Sequence, residues 1–236
     1  MPATIIVGAQ WGDEGKGRVV DDLASRADVV ARYNGGDNAG HTVVAEGHTL
    51  GLHLVPSGIL NPHAVCLIGA GTVVNPLRLL EEFAVLREAG IEVTPARLKI
   101  AAGAHLILPT HRALDGAQEQ ALGEQAIGTT ARGIGPTYAD KARRVGLRAA
   151  LMRDPKAFAA QARTLMMAHN EWLINLYHLK PQLIGTHVER LQEAAAQLAP
   201  YLVDGAALIA EALAAGKSVL CEGAQGTLLD LDRGTY

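Results

Sequence analysis

Ten residues near the start restrict the fold more than any other stretch: Gly8-Ala9-Gln10-Trp11-Gly12-Asp13-Glu14-Gly15-Lys16-Gly17. The run before them, 4–7, is short and β-branched, which predicts a buried strand. After them Val19, Val20, Leu23, Ala24 and Ala27 recur at helical spacing. Strand, glycine-rich turn and helix in that order begin an α/β fold. Glycine lets the backbone turn tightly and approach a ligand. The amides and dipole of a helix N-terminus favour phosphate, and Lys16 adds a point charge able to reach phosphoryl oxygens. The loop is P-loop-like without being a Walker A motif: six residues rather than four separate Gly8 from Gly15, and Gly17 stands where Ser or Thr would hold Mg²⁺. Asp13 is a carboxylate inside a phosphate loop. It fits there if it binds Mg²⁺ or removes a proton from a substrate. Equally, Asp13 and Glu14 can simply complement the helix N-terminus.

The chain has 236 residues, 49% hydrophobic and 19% charged, which suits one large domain, or one domain with a helical insertion, and excludes disorder. Two cysteines, Cys66 and Cys221, make no disulfide framework and fit a reducing cytoplasm. No apolar run reaches the length of a membrane helix, and the first residues lack the basic segment of a secretion signal. A net charge of -3 and 4% aromatics argue against a nucleic-acid partner. Further strands are expected at 28–32, 64–68 and 218–221. Asn75, Pro76 and Gly90 bracket a helix with Leu79, Leu80, Phe83 and Leu86 as its buried stripe. From about 155 to 200 the pattern is helical, with Phe158, Ala159, Ala162, Leu165, Met166, His169, Trp172, Leu173, Leu176 and Tyr177 on one face. A last helix at 206–215 ends at Gly216. The expected fold is α/β: a P-loop-like nucleotide-binding domain with a mostly parallel central sheet and a mostly helical insertion at about 150–215.

Three more loops carry chemistry. Asn34-Gly35-Gly36-Asp37-Asn38-Ala39-Gly40-His41-Thr42 follows the second strand. There Asn38 can read a base or hold an amide, His41 can donate a proton, and the Gly40 carbonyl can serve a hard cation. A turn with a solvated His is the plainer reading, but two glycine-rich loops each holding an ionisable group favour Asp13 and His41 as a base and acid pair. Gly128-Thr129-Thr130-Ala131-Arg132-Gly133-Ile134-Gly135-Pro136 offers hydroxyls and free amides to a phosphate monoester, or is a surface turn. Arg143, Arg144 and Arg148 follow it. Glu222-Gly223-Ala224-Gln225-Gly226-Thr227 follows the last strand, where Gln225 can orient a nucleobase amide. His48, His53, His63, His105, His111, His169, His178 and His187 show no metal-ligand spacing.

In their order and spacing these four motifs resemble the adenylosuccinate synthetase family, and His53-Leu54-Val55-Pro56-Ser57-Gly58-Ile59-Leu60 adds to the likeness. The resemblance spans essentially the whole chain, read as the N-terminal part of a single GTP- and IMP-binding domain. It implies a GDP-forming C–N ligase that joins IMP and L-aspartate through 6-phosphoryl-IMP, the committed step from IMP towards AMP. By resemblance, Asp13 is the base for N1 of IMP and a Mg²⁺ ligand, His41 the acid, and the Gly40 carbonyl the second metal ligand. Lys16 and Gln225 complete the catalytic group. GTP lies along Gly12, Asp13, Glu14, Gly15, Lys16, Gly17, Arg18, Gly40, His41 and Thr42. IMP meets Asp13 to Lys16, Asn38, Ala39, Gly40, His41, Thr130 and Gln225. Arg144, two residues before Gly146, reaches IMP across a homodimer interface, with Arg143 its neighbouring alternative. Ala9 and Arg18 stand where the family commonly has Thr and Lys. Guanine recognition and aspartate binding are expected in family segments beyond this chain. The alternative is a truncated IMP- or phosphate-binding fragment without turnover. An unrelated GTPase switch is disfavoured, because the Walker A threonine and an Asn-Lys-x-Asp run are both missing.

Overall fold

Short apolar runs become the strands of one parallel sheet, and the glycine-rich segments fall at their ends. The computed structural model describes residues 3–12, 14–38, 40–45, 48–126 and 128–235. Strand β1 (Ala3–Gly8) leads into α1 (Lys16–Ala24) and β2 (Val29–Arg32). An antiparallel hairpin of β3 (His41–Ala45) and β4 (His48–Leu52) follows, then β5 (Val65–Ile68), β6 (Val73–Val74), α2 (Pro76–Glu88), β7 (Leu98–Ala101) and β8 (His105–Leu106). The middle is helical: α3 (Pro109–Leu122), α4 (Ile134–Arg143), α5 (Pro155–Asn175) and α6 (Ile184–Leu198). Last come β9 (Leu202–Val203), α7 (Gly205–Ala214) and β10 (Val219–Gly226).

The sheet runs β1-β10-β2-β5-β7-β9, and every neighbouring pair is parallel. The α/β architecture expected from the sequence is therefore present. Strand β10 lies between β1 and β2, so segments 190 residues apart are neighbours (Val29 pairs with Val219). Parallel strands put all their carboxyl ends at one edge, where open α/β sheets bind ligands. The segment 150–215 holds α5, α6 and α7, and also β9, which pairs with β7 in the central sheet.

One strand departs from expectation. β1 is not buried: it is the outer strand, and Ile5 and Val7 are each 63% exposed. A β-branched run reads the same whether its strand is central or at an edge. The stripe on α2 is as expected, with Leu79, Phe83 and Leu86 buried and Leu80 packed against the core. Its start is set by Asn75, whose side chain accepts from the Arg78 amide, and by Pro76 in the first turn. On α5, Phe158, Ala162, Met166 and Leu173 are buried, but Leu176 lies just past the helix and is exposed. No helix among the described residues is long and apolar enough to cross a membrane.

Candidate functional site

Three of the four motifs meet because β1, β2 and β10 are adjacent, and glycines set how closely. The loop after β1 rests on the end of β10. A methyl on Gly226 would lie 1.9 Å from the Gln10 carbonyl oxygen, and one on Gly12 would lie 2.9 Å from the Gly226 nitrogen. Thr227 Oγ1 donates to the Gly8 carbonyl at 2.7 Å and the Leu228 amide to that of Gln10 at 3.0 Å. The loop after β2 approaches from the other side. The Ala224 amide donates to Asn34 Oδ1 at 2.9 Å, and a methyl on Gly35 would lie 2.4 Å from Ala224 Cβ. The motif ending at Gln225 is thus the wall between the two loops.

The first loop is held by its own charges. Glu14 Oε1 accepts from the amides of Gln10 (2.7 Å) and Gly12 (3.1 Å), and Glu14 Oε2 pairs with Lys16 Nζ at 2.8 Å. Lys16 also donates to the Gly12 carbonyl at 3.1 Å. The Lys16 bond above all, then the Gln10 amide, holds the Glu14 carboxyl down at about 2. Gly12 and Gly15 have φ of 102° and 78°, which only glycine adopts without strain, and Gly15 places α1 with its first amides towards the loop.

The second loop is braced from beneath by a buried cation. Arg32, at the end of β2, is 1% exposed and donates to the Gly36 carbonyl at 3.1 Å and to the carbonyl of His53. Burial draws its guanidinium below the usual range, while Glu222 and Glu82 oppose that. Glu82 accepts from the amides of His53, Leu54 and Val55 at 2.9, 2.9 and 3.2 Å, and Glu222 accepts from the Ser57 amide and hydroxyl at 3.1 and 2.8 Å. These buried carboxylates thus have both a cation and N–H or O–H donors, which offsets the cost of burying charge.

The hydroxyl-rich loop joins the second loop directly. Arg132 donates to the Asp37 carbonyl, and Ile134 packs so closely that a methyl on Gly36 would lie 2.5 Å from its Cδ1. The Gly35 amide donates to Tyr138 Oη at 3.1 Å, and that hydroxyl donates to the Gly71 carbonyl at 2.7 Å. Glu119 on α3 accepts from the amides of Gly128 and Thr129, the latter at 3.2 Å.

Helix α4 carries this loop at one end and the arginines at the other, and α3 fixes both ends. Asp115 accepts from the Gly133 amide at 2.8 Å. Further along, Asp140 Oδ2 sits between His111 Nε2 (3.0 Å) and His169 Nε2 (2.8 Å), all three nearly inaccessible. The Leu108 amide donates to His111 Nδ1 at 2.9 Å, so that nitrogen has the lone pair and Nε2 has the proton it gives to Asp140. His169 Nδ1 is likewise engaged with Thr110 Oγ1 at 2.8 Å. The three ligand-type atoms lie within 4.8 Å of one another, yet these protons make the group a hydrogen-bonded clasp rather than a set of free metal donors. Burial raises the Asp140 carboxyl, but the two histidine bonds outweigh it and hold it well below the usual range. Burial pulls His111 below its ordinary value, against the pull of Asp140.

Among the expected site residues, Gly12, Glu14, Gly15, Lys16, Gly17 and Arg18 line the first loop and the start of α1. Asn38 is exposed and holds the Gly36 amide through Oδ1 at 3.2 Å. Gly40 precedes β3, whose backbone begins at His41 and Thr42 rather than continuing as a loop. Thr130 is exposed. Gln225 is half-buried between the first two loops. Asp13 and Ala39 lie outside the described residues. The two arginines differ: Arg143 stacks on Trp172 at 4.5 Å and lies 3.4 Å from Asp140. Arg144, left-handed at φ 64°, lines a cavity of about 580 Å³ with His105, Lys141 and Arg148. Arg32, Glu82, Glu119 and the His111–Asp140–His169 clasp were not signalled by sequence, since each depends on partners brought together only by the fold.

Comparisons with known proteins bear on the family and the fold. The sequence pattern of the family described as adenylosuccinate synthetase matches residues 5–236. Adenylosuccinate synthetases of Lactococcus lactis and Gloeobacter violaceus are each 49% identical over all 236 residues, which cover 54% and 53% of those proteins. The chain therefore spans about half the length of the curated relatives it matches. The structure of a fully ligated adenylosuccinate synthetase from Plasmodium falciparum superposes with a TM-score of 0.88 at 34% identity, over 99% of this chain and 54% of that one. The chain belongs to the adenylosuccinate synthetase family.

Proposed function

We propose that this chain supplies the phosphate-binding and IMP-binding part of a GTP-dependent ligase that converts IMP and L-aspartate to adenylosuccinate. The observation that carries the reading is the convergence of four loops, at 8–16, 33–40, 128–133 and 222–227, through glycine contacts and shared hydrogen bonds. In the proposed sequence Asp13 takes the N1 proton of IMP, which makes the 6-oxygen nucleophilic. That oxygen attacks the γ-phosphorus of GTP, the bond to the β-phosphate oxygen breaks, and GDP leaves with His41 as proton donor. The aspartate amine then attacks C6 and expels inorganic phosphate. Hypoxanthine oxygen is a poor leaving group, and its phosphate ester is a good one. Positioning and charge neutralisation supply most of the catalysis in such transfers. Lys16 and the amides at the start of α1 hold phosphates, Asn38 and Gln225 hold the base, and Thr130 holds the IMP phosphate.

The oxygen donors Asp13 and the Gly40 carbonyl are the hard ligands Mg²⁺ prefers. When bound, Mg²⁺ would neutralise charge on the phosphoryl oxygens. The same reading makes the protein a cytoplasmic homodimer with Arg144 reaching the neighbouring IMP. Arg143 is already engaged with Trp172, which favours Arg144 for that part.

The test is turnover with IMP, GTP, Mg²⁺ and aspartate, reading adenylosuccinate by mass while omitting each substrate in turn. The protein that contains this sequence is expected to need all three substrates. Asp13→Asn should abolish product while leaving IMP affinity within ~10-fold, since the amide keeps a polar contact of the same size but takes no proton. Equal loss of binding and rate would count against the base.

A further inference from the structure

Two separate phosphate loops show the same arrangement. In each, backbone amides that a phosphate would take are already bonded to a carboxylate of the chain itself. Glu14 takes the Gln10 and Gly12 amides together with Lys16 Nζ. Glu119, on another helix, takes the amides of Gly128 and Thr129. A carboxylate has the charge sign of a phosphate and accepts from the same N–H groups. The fit at the first loop is close: a methyl on Gly8 would lie 2.7 Å from Lys16 Nζ and 2.8 Å from Glu14 Oε2. One N–H cannot give a full bond to both acceptors, and Lys16 cannot serve a phosphoryl oxygen while turned towards Glu14.

We propose that Glu14 and Glu119 are internal stand-ins for phosphate: each holds one loop in its ligand-free form and must be displaced when that loop takes its phosphate. Glu14 is then a competitor of nucleotide phosphate, not a ligand of it, and Glu119 competes with the monophosphate at Thr130. The proposal rests on the functional reading above for which nucleotide each loop takes. The contacts themselves do not.

Two measurements on the ligand-free protein and its complexes test it. In amide hydrogen exchange, Glu14→Ala should speed exchange at Gln10 and Gly12, and Glu119→Ala at Gly128 and Thr129. In titration, Glu119→Gln should bind IMP about two- to fivefold more tightly with GDP affinity unchanged, and Glu14→Gln should bind GDP more tightly by a similar factor, the size of one exposed charged contact. Unchanged exchange in the alanine variants overturns the proposal. So does weaker binding in the glutamine variants, which would show that the carboxylates shape the loops for phosphate. If the unaltered protein binds neither nucleotide, the functional reading fails instead. Inorganic pyrophosphate is then the probe: accelerated modification of Lys16 by an acylating reagent in Glu14→Gln, suppressed by pyrophosphate, upholds the stand-in, and a rate equal to wild type rejects it.

Discussion

Replacing Asp140 with alanine removes the acceptor that joins α3, α4 and α5. Two buried imidazole N–H groups lose their partner, from His111 at 3.0 Å and His169 at 2.8 Å. Each orphaned donor costs ~1–3 kcal/mol, and breaking a buried charged set costs ~3–5 kcal/mol, so we expect about 4 kcal/mol. For a domain of this size that is a fall in Tm of ~8–16 °C. Asp140→Asn keeps one oxygen between the two rings and should lose less than half as much. pH adds a second check. The folded pKa of His111 lies below its unfolded value of ~6.5, so the unfolded chain binds more protons in that window. Its contribution is full above about pH 6.5 and is lost as pH falls towards the folded value. Asp140 is depressed as well, so its contribution holds above ~4 and disappears only in stronger acid. Without Asp140, nothing opposes the burial of His111, so Asp140→Ala should lose stability more steeply between pH 7 and 5. Urea unfolding followed by circular dichroism across that range is the assay. A loss under ~1 kcal/mol at pH 7.5 would refute the claim that the clasp is buried and coupled.

Gly226→Ala places a methyl 1.9 Å from a backbone oxygen. It should cost ~1–3 kcal/mol and weaken GDP binding, measured by calorimetry, because the first loop must move away. Arg32→Met removes the buried cation that offsets the charges of Glu82 and Glu222 and holds the Gly36 and His53 carbonyls, and should lower stability by ~3–5 kcal/mol in a urea titration. Val7→Lys on the exposed edge strand should change stability by no more than ~0.5 kcal/mol, yet reduce self-association seen by light scattering.

Much of this was legible because local chemistry and fold agree. The Asn75-Pro76 start and the Leu79, Phe83 and Leu86 stripe are properties of one helix, and the structure has them as read. The glycines at 12 and 226 were legible as tight turns able to approach a ligand, but not as the place where two loops' backbones meet each other. That depends on β10 inserting between β1 and β2, a pairing across about 190 residues that no local pattern encodes. The same limit hid β1's place at the sheet edge. Lys99 interrupts the apolar run of β7, and the two-residue β9 is too short to show a period. The histidine clasp draws on residues 111, 140 and 169, each unremarkable in its own helix. His169 sat on the apolar face of α5, and its partners were visible only after folding. Glu14 stood inside the motif from the outset, but its bond to the loop's own amides is a matter of geometry.

The most direct test of the proposed chemistry follows one oxygen atom. IMP labelled with ¹⁸O at the 6-position is supplied to the protein containing this sequence, with GTP, Mg²⁺ and aspartate. Phosphate and GDP are then analysed by mass. If the 6-oxygen is phosphorylated before aspartate displaces it, the label appears in inorganic phosphate, one atom per adenylosuccinate formed. Label released into water, with unlabelled phosphate, would contradict the account.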